Sequence, residues 1–375
     1  MLYKRIIHQT IEQNLDKGKV IIVYGARRVG KTTLMKQILE NHPAGRYINC
    51  DLLQYKSALE TTNSELLKDF IGKSDLIILD EAQQIREIGK ILKILVDTFP
   101  SIRIIATGSS SFDLTDKLSD PLTGRSRFYM LLPFSVEEIL QKYSKIEINS
   151  KLEKILRFGL YPEVFDKSEQ DAIEELQNIT SNYLYKDILR LENIKRPDLI
   201  LNLLKSLALQ LGNECSFNEI GGLLGENVHT IKRYIEILEQ CFVLFRLSSF
   251  SRNMRKELGK RNKIYFYDLG VRNTLIMNFN KLESRNDTEA LWENFCILER
   301  LKYNHYHRRF MNTYFWRTYD QKEIDLIEEY GGKLHAFEFK WNPLRKIKTP
   351  GEFLSVYPGS KYMIVDRNNF WNFIC

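Results

Sequence analysis

Two groups of residues in this 375-residue chain have the types and spacing for phosphate chemistry. The first is Gly25-Ala26-Arg27-Arg28-Val29-Gly30-Lys31-Thr32-Thr33. Its glycines let the backbone curl with N–H groups turned inward around a β-phosphate, Lys31 reaches the β/γ oxygens, and Thr32 offers its hydroxyl to Mg²⁺. This spacing implies a bound nucleoside triphosphate, ATP. A second part of the same site is Leu76-Ile77-Ile78-Leu79-Asp80-Glu81, an apolar strand tipped by two carboxylates. Open α/β sheets place their ligands at such strand ends. Asp80 is expected to hold Mg²⁺ through water, and Glu81 to orient and deprotonate the attacking water. The hydroxyls of Ala106-Thr107-Gly108-Ser109-Ser110-Ser111 can bond that water or the phosphate, although serines here also serve as caps and turn formers. Phosphate transfer further needs a cation at the γ-phosphate. Arg125 and Arg127 are candidates, with a structural ion pair the alternative for either.

The second group lies near the C-terminus: Glu293 in a helix-like run, Glu323-Ile324-Asp325, and Phe337-Glu338-Phe339-Lys340. Taking Gly331-Gly332 as a two-residue hairpin turn pairs Tyr330 with Lys333 and sets Asp325 opposite Glu338. Two carboxylates so close destabilise a bare hairpin, so a cation between them is expected, and Mg²⁺ with oxygen ligands would serve. Lys340 shares a face with Glu338 and could orient a water toward a phosphodiester, while Glu293 could complete the shell or steer a ligand. In the bland alternative Glu323 pairs with Lys340 across the hairpin and the other carboxylates are solvated.

These groups need rigid elements to position them. Strand-like segments at Val20 to Tyr24, Arg46 to Cys50, Asp75 to Asp80, Ile102 to Thr107 and Arg127 to Leu132 alternate with helix-length stretches, which predicts a parallel sheet covered on both faces. Ser216 opens a helix to Leu224, Gly225 makes a turn, and Val228 to Gln240 carries Ile231, Tyr234, Ile235 and Leu238 on one stripe. The other side of that second helix presents His229, Lys232 and Arg233. Two strands, Phe242 to Leu247 and Lys263 to Tyr267, then flank Arg252 to Lys263, which holds six cations against Glu257 alone. That pattern predicts a winged helix with a basic wing able to meet duplex DNA phosphates.

Composition bounds the rest. A hydrophobic share of 43% and a charged share of 27% belong to ordinary globular domains, and the length suits two or three of them. Net charge is +7, compatible with nucleic acid without demanding it. The five cysteines are scattered without a Cys-x-x-Cys pair, which reads as reduced thiols and not as a zinc site. The charged opening Met1 to Gln9 is unlike a secretory leader, and no run approaches the ~18 apolar residues that span a bilayer. A cytoplasmic protein with no membrane partner is expected.

The glycine loop, Leu79-Asp80-Glu81-Ala82-Gln83, Thr107-Gly108-Ser109-Ser110, Gly124-Arg125, Leu132-Pro133-Phe134-Ser135 and Gly159-Leu160-Tyr161-Pro162-Glu163-Val164 together resemble the prokaryotic AAA-type ATPases that carry a C-terminal nuclease-like domain. The resemblance extends over nearly the whole chain. It implies a P-loop NTPase core in which the Ile102 to Thr107 strand lies between the loop strand and the Asp80 strand, with a helical lid beyond. The Asp325, Glu338 and Lys340 pattern is similar to the PD-(D/E)xK, restriction-endonuclease-like fold. The expected α/β architecture is therefore a P-loop core over residues 1–135, a lid over 136–204, a winged helix over 205–268 and a nuclease-like domain over 269–375. The function implied is ATP hydrolysis coupled to DNA, with Arg125 acting in its own subunit or across the interface of a homo-oligomeric ring. A nucleotide-controlled protein adaptor, or a DNA-binding ATPase with an inactive nuclease domain, is the alternative.

Overall fold

The computed structural model describes residues 3–16, 18–109, 122–184, 188, 196–250, 262–318, 322–344 and 351–375, without the side chains of 182–184. It divides into two compact units, Met1–Leu132 with Gln240–Phe242, and Pro133–Glu239 with Val243–Cys375.

In unit 1, strand β1 (Val20–Tyr24) is an unbroken apolar run buried over its first four residues, as a strand covered on both faces must be. It is joined by β2 (Arg46–Asn49), β3 (Leu76–Asp80), β4 (Arg103–Gly108) and β5 (Ser126–Met130) in the order β2-β3-β4-β1-β5. Every neighbouring pair is parallel. The expected insertion of the Ile102 to Thr107 strand between the loop strand and the Asp80 strand is what the sheet contains. Helices α1 (Ile6–Glu12), α2 (Lys31–Glu40), α3 (Leu53–Leu59), α4 (Ser64–Ile71) and α5 (Ile88–Thr98) make the crossovers and flanks. One face of the sheet packs Ile22, Ile77, Leu79, Ile104 and Ala106 against Ile88, Ile91, Leu92 and Leu95.

Unit 2 begins with α6 (Val136–Ile139), α7 (Lys145–Phe158), α8 (Glu169–Asn178) and α9 (Pro197–Leu209). Their expected role was a lid, but within unit 2 they are tied to the later helix α12 (Leu269–Leu275). Asp268 accepts from the backbone N–H of Leu160 at 2.7 Å and caps α12 at Val271. Asn273 donates to the carbonyls of Leu156 and Arg157. The approach is so close that a Cβ on Gly159 would lie 2.2 Å from the Asp268 carboxylate. The Gly159-Leu160 motif is thus a crossing point between two chain segments.

Next come α10 (Phe217–Leu224) and α11 (Val228–Gln240), joined through Gly225 in the left-handed region at φ 66°. Ser216 caps α10 by accepting from Glu219 N–H. Ile231, Ile235 and Leu238 are buried along α11, while His229, Lys232 and Arg233 are exposed. Strands β6 (Glu214–Cys215), β7 (Leu244–Ser249) and β8 (Asn262–Phe266) form an antiparallel set beside this helix pair. The basic wing residues 252–261 lie outside the described residues, as do Ser110 and Ser111.

The chain continues into α13 (Thr288–Tyr306), β9 (Asn312–Arg317), β10 (Glu323–Tyr330), β11 (Lys333–Lys340), α14 (Gly351–Val356), β12 (Lys361–Asp366) and α15 (Trp371–Ile374). β10 and β11 pair antiparallel with Tyr330 opposite Lys333 and Leu326 opposite Phe337. Gly331 and Gly332 both have positive φ, 57° and 74°, as the favoured two-residue hairpin turn demands. The sheet does not stop at position 268/269, where a domain boundary was expected. β7 pairs parallel with β9, so all seven strands form one sheet in the order β12-β11-β10-β9-β7-β8-β6.

Candidate functional sites

The parallel register of unit 1 brings the ends of three strands level. Leu79 pairs with Ala106, and Val23 with Thr107, so the loop after Tyr24, the carboxylates at Asp80-Glu81 and the hydroxyl of Thr107 share one edge. The loop leaves β1 through Gly25, where a Cβ would sit 2.0 Å from the Leu131 carbonyl oxygen. Only glycine fits there. Gly30, at φ 96°, is the N-cap of α2, whose first residue is Lys31.

Lys31 is 5% exposed, and its Nζ donates to the carbonyls of Gly25 and Ala26, both at 2.9 Å. The ammonium is therefore held inside the loop. Thr32 Oγ1 donates to Asp80 Oδ2 at 2.7 Å, Tyr47 donates its hydroxyl to the same oxygen, and Thr107 donates to Asp80 Oδ1. Three hydroxyls converge on one carboxylate. Burial and the Asp80 charge push the Tyr47 phenol well above its usual range, so it stays a donor. Glu81 adopts the left-handed region at φ 55°, uncommon for a residue with a side chain. Its N–H donates to Thr107 Oγ1, and its Oε2 accepts from Gln83 Nε2 at 2.5 Å. Gln83 Nε2 also reaches Ser109 Oγ at 3.1 Å.

Three residues that sequence reasoning passed over belong to this site. Arg5 donates to the carbonyls of Val29 and Leu132, bracing the glycine loop from outside. No local pattern points to it. Tyr47 stands two residues before Asn49, the register partner of Asp80, so strand pairing places it. Gln83 follows Glu81 by two and was visible only as part of a motif.

Arg125 lies at the other end of β1. Its backbone carbonyl accepts from Val20 N–H and its side chain pairs with Asp97 at 2.7 Å. Val20 opens β1, whereas the loop follows its other end, so about 16 Å of strand separates Arg125 from the phosphate-binding edge. The structural ion pair is the role its contacts describe.

In unit 2 the C-terminal carboxylates do meet, but around an unexpected residue. Lys263, counted with the basic wing, is 1% exposed and lies on β8. Its Nζ is 2.9 Å from Glu293 Oε1 on α13 and 3.9 Å from Asp325 Oδ1 on β10, and it pairs with Glu323. Tyr265, on the same face of β8, donates to Glu293 Oε1. Asn294 clamps helix to strand by bonding both the N–H and the carbonyl of Phe266. Asp325 Oδ2 accepts from Phe339 N–H at 2.8 Å, and Glu338 pairs with Lys340 at 2.8 Å. Glu323 therefore pairs with Lys263, not with Lys340 across the hairpin. The described hairpin pairs stop one step short of Asp325 and Glu338, with the expected register.

The donor set does not fit the divalent ion expected here. Among the described residues no three of His, Cys, Asp and Glu are grouped so as to hold a metal, and Lys263 already supplies positive charge to Glu293, Glu323 and Asp325. Burial followed by the Glu293 charge pushes Asp325 up to about 7, and burial followed by the Asp325 charge pushes Glu338 up to about 7. The direction follows first from burial and then from the charges present, since four carboxylates share Lys263, Lys340 and the more distant Arg317.

A raised carboxyl pKa favours the folded state while the group is protonated. This stabilisation is full below the unfolded value of about 4 and is lost as pH rises through about 7. A thermal-unfolding series should therefore show Asp325→Asn gaining on the parent as pH rises across that window. A constant difference would remove the shift.

Comparison with known proteins agrees with the sheet of unit 1. Residues 17–140 match the family model described as an AAA domain, and residues 149–282 and 288–371 match two domains of unknown function, DUF8612 and DUF4143. An uncharacterized protein of Mycobacterium tuberculosis is 26% identical over 346 residues, covering 91% of this chain and 74% of that protein. An uncharacterized protein of Methanocaldococcus jannaschii is 28% identical over 320 residues, covering 79% and 69%. Among solved structures, the Walker-type ATPase of Pyrococcus abyssi superposes with a TM-score of 0.51 at 17% identity, over 73% of this chain and 96% of that one. With its parallel sheet, its glycine loop and an AAA-domain match over residues 17–140, the N-terminal part of the chain has the fold of an AAA-type P-loop ATPase.

Proposed function

We propose that this chain hydrolyses ATP at the edge formed by β1, β3 and β4, and couples that reaction to DNA held by unit 2. The observation that carries the first part is the Thr32–Asp80 hydrogen bond, with Glu81 beside it and the lysine-bearing loop opposite. The residues suit ATP with Mg²⁺: Gly25 clears a close backbone approach, α2 turns its N-terminal N–H groups toward the loop, and Thr32 and Asp80 offer oxygen ligands. Bound Mg²⁺ would neutralise charge on the phosphate oxygens. Lys31 would exchange the carbonyls of Gly25 and Ala26 for β/γ oxygens. Glu81 would orient the attacking water and take its proton, held at the right place by Gln83. Tyr47 and Thr107 keep Asp80 aimed.

The DNA half of the proposal reads α10, α11 and the β7–β8 strands as a winged helix. Its support is the sharp turn at Gly225 and the exposed His229, Lys232 and Arg233 on the second helix. A phosphate reader must weaken as counterions accumulate. Replacing Lys232 by Ala should weaken duplex binding across sequences and reduce the slope of log K against log salt by about 1, measured by fluorescence anisotropy at several salt concentrations. Salt-independent binding, or none, would favour a protein-docking role for this module. Asp325, Glu338 and Lys340 on adjacent strands support a nuclease-like reading of the C-terminal segment. The Lys263 ion pairs favour its non-cleaving form. A cytoplasmic location goes with these partners, and among the described residues no helix is long and apolar enough to cross a membrane.

A further inference from the structure

Resting on the nuclease-like reading of the C-terminal segment, we propose that Lys263 stands in for the divalent cation of its carboxylate cluster, so that Glu293, Glu323 and Asp325 close on an internal ammonium and take up no metal. Three features of the site carry this. The Lys263 side chain is 2% exposed, and its Nζ lies among three carboxylates on two elements: Glu293 of α13 at 2.9 Å, and Glu323 and, at 3.9 Å, Asp325 of β10. An ammonium in that position fills the electrostatic role the like-charged carboxylates require. A divalent ion would need oxygens at about 2.0 to 2.6 Å, and ligation by Glu293 and Asp325 together would press it against the lysine charge.

These carboxylates and Glu338 make further contacts. Asp325 Oδ2 accepts from Phe339 N–H, Glu338 is paired with Lys340, and Glu293 Oε1 additionally accepts from Tyr265. A metal ligated by Asp325 Oδ2, Glu338 Oε1 or Glu293 Oε1 would have to displace a backbone donor or an ion pair. Lys263 comes from β8, three places away from β10 in the sheet, and belongs to the strand set that follows the helix pair. A strand of the proposed winged helix thus supplies the charge that closes the cluster, which makes the C-terminal segment a binding surface and not a cutter.

The test is a Mn²⁺ titration of the full chain, without nucleotide or DNA, read by the electron paramagnetic resonance of free Mn²⁺. The parent should take up no more Mn²⁺ than Asp325→Asn. Lys263→Met should lose thermal stability, then gain one Mn²⁺ per chain relative to Lys263→Met with Asp325→Asn, and recover stability with Mn²⁺ but not with NaCl of equal ionic strength. If the parent binds one more Mn²⁺ than Asp325→Asn, the proposal falls and the nuclease-like reading stands strengthened. If folded Lys263→Met takes up none, the carboxylates are no latent metal set and both fall. Should Lys263→Met fail to fold, the parent and Asp325→Asn comparison decides alone.

Discussion

Replacing Glu81 by Gln should leave ATP binding in place and reduce turnover by roughly 10²- to 10⁴-fold, the usual contribution of a positioned general base. The amide preserves the size of the side chain and can still accept from Gln83, whose Nε2 lies 2.5 Å from Glu81 Oε2. The unusual backbone of Glu81, at φ 55°, is unaffected because the Cβ is unchanged. What disappears is the proton acceptor. Asp80 keeps its three hydroxyl donors, so the arrangement proposed to hold the metal survives. Phosphate release would be measured beside titration with a fluorescent ATP analogue. Lys31→Ala should give the opposite pattern, because the ammonium held by Gly25 and Ala26 is the group proposed to reach the phosphates. Undiminished hydrolysis in Glu81→Gln would take the base assignment away from this residue.

Gly270→Ala should be the most destabilising small change in unit 2, at about 3 kcal/mol, the upper range for overpacking, or roughly 6–12 °C in Tm. A Cβ there would lie 2.1 Å from the carbonyl oxygen of Phe158 and 2.6 Å from its carbon, both backbone atoms that cannot swing aside. The crossing is also pinned on both flanks. Asp268 holds Leu160, and Asn273 holds Leu156 and Arg157, so separation of the two segments breaks three hydrogen bonds. Gly222→Ala is the control, since its Cβ would meet nothing within 4 Å. In the middle of α10 that substitution should be neutral or stabilising. Equal effects of the two substitutions in a thermal melt would refute the steric account.

The nucleotide edge was legible because its determinants are local. A glycine loop between an apolar strand and a helix constrains its own backbone, and the Asp80 carboxylate ends a strand whose burial is written in consecutive residues. The hairpin register was legible for the same reason, since two glycines define the turn and period-two alternation does the rest. Which end of a parallel strand Arg125 occupies was not legible, because a Gly-Arg pair carries no such information. Only pairing with Val20 assigns it to the edge away from the loop.

Taken alone, the amino-acid order determined the phosphate loop, the carboxylate-tipped strand, the helix pair with exposed Lys232 and Arg233, and the hairpin that sets Asp325 beside Glu338. Tertiary structure alone decided what neutralises those carboxylates. Lys263 stands thirty residues before Glu293 and among cations that read as a basic wing for DNA phosphates, yet the β7–β9 pairing fuses two strand sets into one sheet and turns its side chain inward. The physical reason is that a buried charge is selected by its partners in space. Desolvation makes an unpaired ammonium untenable in that interior, and no window of neighbouring residues reveals which distant carboxylates will be there to receive it.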